Sequence, residues 1–337
     1  MFMRTCWVLD HPAHVRLLST LMREGTTADL IVACERSEVR AMIEQGDGRL
    51  PRRQILWVPR PVGQGRYRKA MYRVRSVQRF LRATSKDGQG PVQRIVSVGA
   101  PLELMAAKSR WWQRSSITER WYISDTEVNH TAHKLAKKAA TDLVIPTHWR
   151  EDLDGGFTSS FKGNIHRLDG LHAHVHLAPH RRPTKVSDPP RIIVRRLKGG
   201  GIHDDDEIVP VPEDALDGVM ATIADEDAYE GSPWDLDREL AAHDGVITQS
   251  VTLASEAALL GTPTLLISAA ERGFLDRLER EGAPLFRWKG EQDEVEWGAI
   301  HAQYLAGLHL TDALESAEWP DAKHQLAALF GLRNDEI

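Results

Sequence analysis

The sequence predicts an α/β protein built from two doubly wound parallel sheets. Three observations carry that prediction. Short apolar runs alternate with amphipathic ones along nearly all of the 337 residues. The alternation pauses across His180–Pro190, a polar stretch with three prolines, and then restarts. The charge also divides: residues 1–150 carry 26 Lys and Arg against 13 Asp and Glu, whereas 151–337 carry 17 against 35.

In chain order, Thr5–Leu9 reads as a strand and His14–Glu24 as a helix. Asp29–Ala33, Gln54–Val58, Arg94–Val98, Ile117–Ser124 and Leu143–Pro146 are further strands. Helices fill the intervals over Ser37–Gln45, Tyr67–Arg82, Pro101–Lys108 and Thr131–Ala140. Beyond the pause, Arg191–Arg196, Ile208–Val211, Gly218–Ala224, Gly245–Thr248, Pro263–Ser268 and Leu285–Trp288 read as strands. Trp234–Ala242, Val251–Leu260, Phe274–Glu281, Trp297–Leu308 and Asp321–Phe330 read as helices. The expected organisation is a first domain over 1–179, a linker over 180–190 and a second domain over 191–337. The last helix could pack back on the first domain. Ligands in such sheets bind beyond the carboxyl ends of the strands, so the cleft between the domains is the expected site.

Composition narrows the function classes. Apolar residues make up 42% of the chain and the mean hydropathy is -0.38, a composition with ample material for a core. No run approaches the ~18–20 apolar residues of a membrane span. The apolar run Thr5–Leu9 is too short for a signal peptide, so a cytoplasmic protein is expected. Cys6 and Cys34 lie in or beside strand-like runs, against a disulfide scaffold and a Cys-based zinc site. A net charge of -5 excludes a uniformly basic nucleic-acid binder but leaves an anionic partner open for the first half.

Thr248–Thr264 is the most informative stretch. A strand ends at Thr248, Ser250 is placed as the N-cap of the next helix and Gly261 as its C′ residue. The helix is apolar except for Thr252, Ser255 and Glu256, and Thr252 and Glu256 are one turn apart. A helix N-terminus suits phosphate, and a carboxylate roughly 6 Å further along suits a ribose. The bland alternative is that Ser250 only caps and Glu256 only faces solvent.

This segment resembles the nucleotide-sugar site of GT-B-fold proteins, the bacterial UDP-GlcNAc 2-epimerases and the lipid-linked-sugar transferases of cell-wall synthesis. Ser250 matches a phosphate-binding Ser and Glu256 a ribose-binding Glu, while Val251 and Thr252 stand where the epimerases carry two glycines. Lys162-Gly163-Asn164-Ile165 resembles the Gly-Asn turn that ends the first domain in those families, which places Asn164 among the ligand-binding candidates. The whole chain also resembles an uncharacterised prokaryotic family allied to GT-B glycosyltransferases. Asp10-His11-Pro12-Ala13-His14, Asp125-Thr126-Glu127, Arg195-Arg196 with His203-Asp204, and Ser250–Pro263 carry that likeness in order.

The resemblance implies a GT-B-like fold and transfer of a sugar from a nucleotide donor, a UDP-sugar, with the nucleotide-sugar as substrate and no further cofactor. Two alternatives stand beside it: a UDP-N-acetylhexosamine 2-epimerase, and a catalytically silent nucleotide-sugar binder. Ser250, Thr252, Glu256, Arg195, His203, Asn164 and His11 are the candidate binding residues. Asp10 and His14 sit where the first strand gives way to the first helix, placed to act as orienter and general base. Asp125 and Glu127 follow the strand ending in Tyr122-Ile123-Ser124 and could supply an alternative base; the plainer reading of both pairs is helix capping. Arg195 or Arg196 suits a diphosphate, ahead of the flexible Gly199-Gly200-Gly201.

Two patterns suggest metal or surface roles. His172, His174 and His176 alternate and would share one face of a strand, and His203 adjoins Asp204–Asp206. Neither has zinc-site spacing, and no metal is expected. Arg49–Arg82 holds eleven Arg and Lys and no acid. Tyr67, Ala70, Met71, Val74, Val77 and Leu81 form an apolar stripe within it. That basic amphipathic helix fits peripheral contact with an anionic membrane face and an anionic or lipid-phosphate-linked acceptor, or plain packing on the sheet.

Overall fold

Five consecutive buried residues, Thr5–Leu9, form β1, an interior strand of a seven-stranded parallel sheet. In this computed structural model the described residues are 3–22, 29–46, 50, 54–59, 65–108, 117–170, 172–177, 186–197, 207–225, 231–290, 294–309 and 320–332. The chain divides into two units, residues 1–176 with 320–337, and residues 177–319.

In unit 1, β1 leads through α1 (Pro12–Ser19) to β2 (Leu30–Cys34), and through α2 (Ser37–Gln45) to β3 (Gln54–Val58). There follow α3 (Arg66–Thr84), β4 (Arg94–Val98), α4 (Pro101–Lys108), β5 (Glu119–Ile123), α5 (His130–Ala139), β6 (Asp142–Pro146), β7 (Asn164–Leu168) and the single turn α6 (Ala173–His176). The strand order is β3-β2-β1-β4-β5-β6-β7, every pairing parallel. β1, β2 and β4 are buried throughout, which explains their unbroken apolar runs rather than alternation. Cys6, Val8, Ile95, Leu104, Tyr122 and Val77 meet in one core.

Unit 2 runs through β8 (Arg191–Arg195), β9 (Met220–Ile223), α7 (Leu236–Ala242), β10 (Gly245–Thr248), α8 (Val251–Leu259), β11 (Thr264–Ile267), α9 (Gly273–Arg280), β12 (Leu285–Trp288) and α10 (Glu294–Leu308). Its sheet is parallel in the order β12-β11-β10-β8-β9, over a core that includes Ile192, Val194, Ile247, Leu265 and Tyr304. The chain ends in α11 (Ala322–Leu329), which belongs to unit 1. Phe330 after it stands edge-on to Trp121, ring centroids 5.0 Å apart, and its carbonyl accepts from Arg94 Nη1 at 2.7 Å.

The structure departs from the sequence expectations at definable places. The first helix starts at Pro12, two residues early, because His11 caps it and Pro fits the first turn; it ends at Ser19 rather than Glu24. Asn164–Leu168 is an edge strand, not only a turn; its side chains are mostly exposed and polar, which hides the strand pattern. Ile208–Val211 supplies only an isolated antiparallel bridge, Ile208 to Ser268. His174 and His176 lie on α6 rather than a strand, so alternation does not align them. Tyr67, assigned to the apolar stripe of the basic helix, is 78% exposed. Val77 and Leu81 do pack in the core, and Arg68, Tyr72, Arg75 and Arg79 form an exposed stripe. No described helix is long and apolar enough to cross a membrane.

Gly163 owes its place to close packing. A Cβ there would come within 2.0 Å of the Thr141 carbonyl oxygen, at the point where Asn164 N–H donates to that same oxygen. Gly163→Ala is expected to strain the start of the β6–β7 pairing and cost about 1–3 kcal/mol of stability, read from urea unfolding.

Candidate active site

The strand order reverses between β1 and β4 in unit 1 and between β8 and β10 in unit 2. Chains leave such neighbouring strands in opposite directions, and ligands of open parallel sheets bind beyond the strand ends there. Residues expected from the sequence stand at both points.

In unit 1, Asp10 follows β1 and His11 caps α1, its Nδ1 accepting from the Ala13 amide at 3.3 Å. Capping therefore falls to His11, and Asp10 and His14 are not used for it. Asp10 Oδ1 meets Arg73 Nη2 at 2.8 Å, and Arg73 Nε donates to Glu103 Oε1. Glu103 is fully buried, on a helix that otherwise presents apolar residues inward. Arg73 thus leaves the basic face assigned to it and joins two carboxylates from β1 and α4. Burial alone would raise the Asp10 carboxyl, but Arg73 and His14 pull it down to about 2. Burial pushes the Glu103 carboxyl up, since one guanidinium shared by two carboxylates leaves one negative charge in excess.

The His14 ring rests on the turn after β4, where Gly99 has φ +60° and an added Cβ would lie 3.8 Å from His14 Cε1 and Nε2. Burial and the neighbouring His11 hold the imidazole down to about 4 against the pull of Asp10, so His14 is uncharged at neutral pH. Asp125 follows β5 and is 46% exposed. Partial burial pushes its carboxyl up, but His172 and His14 hold it well below the ordinary carboxylate range. Neither Asp125 nor Glu127 caps the next helix: Asn129 does, accepting from the Ala132 amide at 3.3 Å. Glu127 is 1% exposed and accepts from the Arg150 amide at 3.2 Å, holding the loop after β6.

Asn164 is not part of this cluster. It opens β7 at the amino end of the sheet, where its Nδ2 donates to Asp142 Oδ1 at 2.9 Å, whereas Asp10 and Asp125 follow the carboxyl ends.

In unit 2, Ser250 caps α8, its Oγ accepting from the Leu253 amide at 3.4 Å. Thr248 pairs in register with Arg195 and donates its hydroxyl to the Arg195 carbonyl at 3.0 Å. Ser250 and Arg195 therefore share the switch point. Arg196 is engaged by Asp225 through a fork whose closest approach is 2.6 Å, and Arg195 Nη1 donates to the Ala224 carbonyl at 3.5 Å. Glu256 is 3% exposed, so the solvent-facing alternative for it does not hold, while Thr252 one turn back is exposed. His203, Gly199–Gly201 and Asp204–Asp206 lie outside the described residues.

Sequence reasoning missed Arg73, Glu103 and His172 as neighbours of Asp10 and Asp125. Glu103 carried a signal, a lone acid in an apolar helix; its partner thirty residues away did not. Among the described residues, no group of three or more His, Cys, Asp or Glu is placed to hold a metal ion.

No family model matches the chain, and no curated protein matches it in sequence, so the likeness to an uncharacterised prokaryotic family stands without a matching model. Solved structures do match. The chain is similar to S. aureus MnaA in complex with UDP, at 10% identity and TM-score 0.65, over 96% of this chain and 95% of that one. It is similar to the UDP-GlcNAc 2-epimerase of Neisseria meningitidis bound to UDP-GlcNAc, at 11% identity and TM-score 0.58, over 98% of each chain. It is also similar to Acinetobacter baumannii MurG, at 11% identity and TM-score 0.51, over 97% of this chain and 99% of that one. The protein has a GT-B-like α/β fold of two Rossmann-like units. Other matched structures are UDP-GlcNAc 2-epimerases and a glycotransferase.

Arg73 offsets the buried Glu103 charge, so Arg73→Gln is expected to cost about 3–5 kcal/mol in urea unfolding at pH 8. The loss should shrink at pH 5, where Glu103 can take a proton instead, and Glu103→Gln in the same chain should recover most of it.

Proposed function

We propose that the protein acts on a UDP-N-acetylhexosamine as a 2-epimerase, rather than as the glycosyltransferase that the sequence resemblance put first. The groups that suit a nucleotide stand at the switch point of unit 2, and groups that can move protons stand at the switch point of unit 1. The observation that carries this reading is the gathering of Asp10, Asp125 and an uncharged His14 at the switch point of unit 1.

Inverting the C2 centre of such a sugar means breaking its C2–H bond on one face and remaking it on the other. The electron pair left behind needs a sink, and the adjacent C1–diphosphate bond is the one this substrate offers. At neutral pH Asp125 is a carboxylate and His14 a neutral imidazole, so each can accept a proton and return it. The departing diphosphate is best held by fixed positive ends, which the N-terminus of α8 and the Arg195 guanidinium can provide. Glu256 would accept hydrogen bonds from the ribose hydroxyls. The nucleotide sugar is itself the substrate, and the reading calls for no metal and no acceptor. The exposed stripe Arg68, Tyr72, Arg75 and Arg79 therefore lies outside it. The fold likeness to MnaA solved with UDP and to an epimerase solved with UDP-GlcNAc supports the choice of substrate.

Incubation of the purified protein with UDP-GlcNAc and no acceptor is expected to yield the 2-epimer, seen by proton NMR. His14→Ala should lower turnover about 10²–10⁴-fold with UDP affinity unchanged in calorimetry. Glu256→Ala should weaken UDP binding about tenfold or more. Turnover only when an acceptor is added would favour the transferase. UDP-GlcNAc binding without turnover would favour a silent binder.

A further inference from the structure

The residue before α6, His172, has no role in the reading above and no hydrogen bond to explain its burial. Its side chain is 10% exposed, and neither ring nitrogen has a hydrogen-bond partner or open access to solvent. Buried polar atoms are ordinarily paired, and leaving one unpaired costs as much as a lost hydrogen bond. The acid beside it is Asp125, whose Oδ2 lies 3.9 Å from His172 Nδ1, about 1 Å beyond a hydrogen bond. The two differ in access. Asp125 is 46% exposed at the carboxyl end of β5, while His172 stands behind it out of water.

We propose that His172 is a positioning residue for Asp125: its Nδ1–H closes onto Oδ2 when substrate is bound, fixing the carboxylate's orientation and keeping it charged. The use made of Asp125 rests on the epimerase reading; the pairing itself does not. The groups that act on Asp125 are His14 from α1, Tyr122 from β5 and His172 ahead of α6, with His11 of α1 also within electrostatic reach. Two imidazoles therefore flank one carboxylate. His14 Nδ1 is buried without a hydrogen-bond partner, whereas in His172 both ring nitrogens are. A hydrogen bond donated to the ionised carboxylate favours that form. Burial pushes the Asp125 carboxyl up, and His172 and His14 bring it below the ordinary carboxylate range.

The test is a carbon-13 NMR titration of the Asp125 carboxyl in the full-length protein, with Asp125→Asn used for assignment. In His172→Leu the midpoint should rise by about 1 pH unit or more. His172→Asn places an amide N–H where Nδ1 stood and should restore part of the difference. In turnover, the acid limb of kcat/KM should move upward in His172→Leu and partly back in His172→Asn, with KM little changed. An Asp125 titration identical in wild type and both variants would overturn the pairing, even if the variants turn over slowly. If His172→Leu does not fold, His172→Ala, which also lacks the donor, is titrated in its place, and a wild-type midpoint there would overturn the proposal. If the wild type does not epimerise UDP-GlcNAc, the epimerase reading fails and the NMR result still decides the pairing.

Discussion

The constraint on which the molecule depends is the reversal of strand order within each parallel sheet. β1 and β4 are neighbours whose chains leave in opposite directions, as are β8 and β10. No crossover helix covers the carboxyl ends at such a point, so polar side chains can stand there without breaching the core. Asp10 and Gly99 occupy the first point, Arg195 and Ser250 the second. The rest of the fold, from the fully buried strands to Phe330 against Trp121, keeps those ends in place.

The two points differ in character. Unit 1 gathers carboxylates around uncharged imidazoles, and one arginine from α3 is divided between Asp10 and Glu103. Arg36 also lies within electrostatic reach of Asp10, His11 and His14, so this site mixes acids, imidazoles and arginines. Unit 2 offers a capped helix N-terminus beside the end of an arginine-bearing strand.

Much of this was legible in the sequence, and the misses have physical causes. Buried parallel strands announce themselves as apolar runs, so β1, β2, β4 and β10 were read closely to their observed bounds. β7 was not, because an edge strand such as Asn164–Leu168 shows mostly polar residues to solvent. Ser250 was placed as a cap from its position alone, and Gly163 belonged to a motif whose packing reason appears only in three dimensions. The Asp10–Arg73–Glu103 contact was out of reach: it joins residues far apart in sequence, and Arg73 sits among surface arginines that conceal it. His172 was set among alternating histidines by a strand periodicity that a single helical turn does not obey.

On the proposed reading, the groups at the switch point of unit 1 exchange a proton with the C2 carbon of a nucleotide-bound hexosamine. Incubation of the protein with UDP-GlcNAc in deuterium oxide, followed by mass spectrometry and proton NMR of the recovered sugar, tests this. One deuterium is expected at C2 of the epimerised product, and its loss when His14 and Asp125 are both replaced. An epimer that retains the original C2 hydrogen would contradict it.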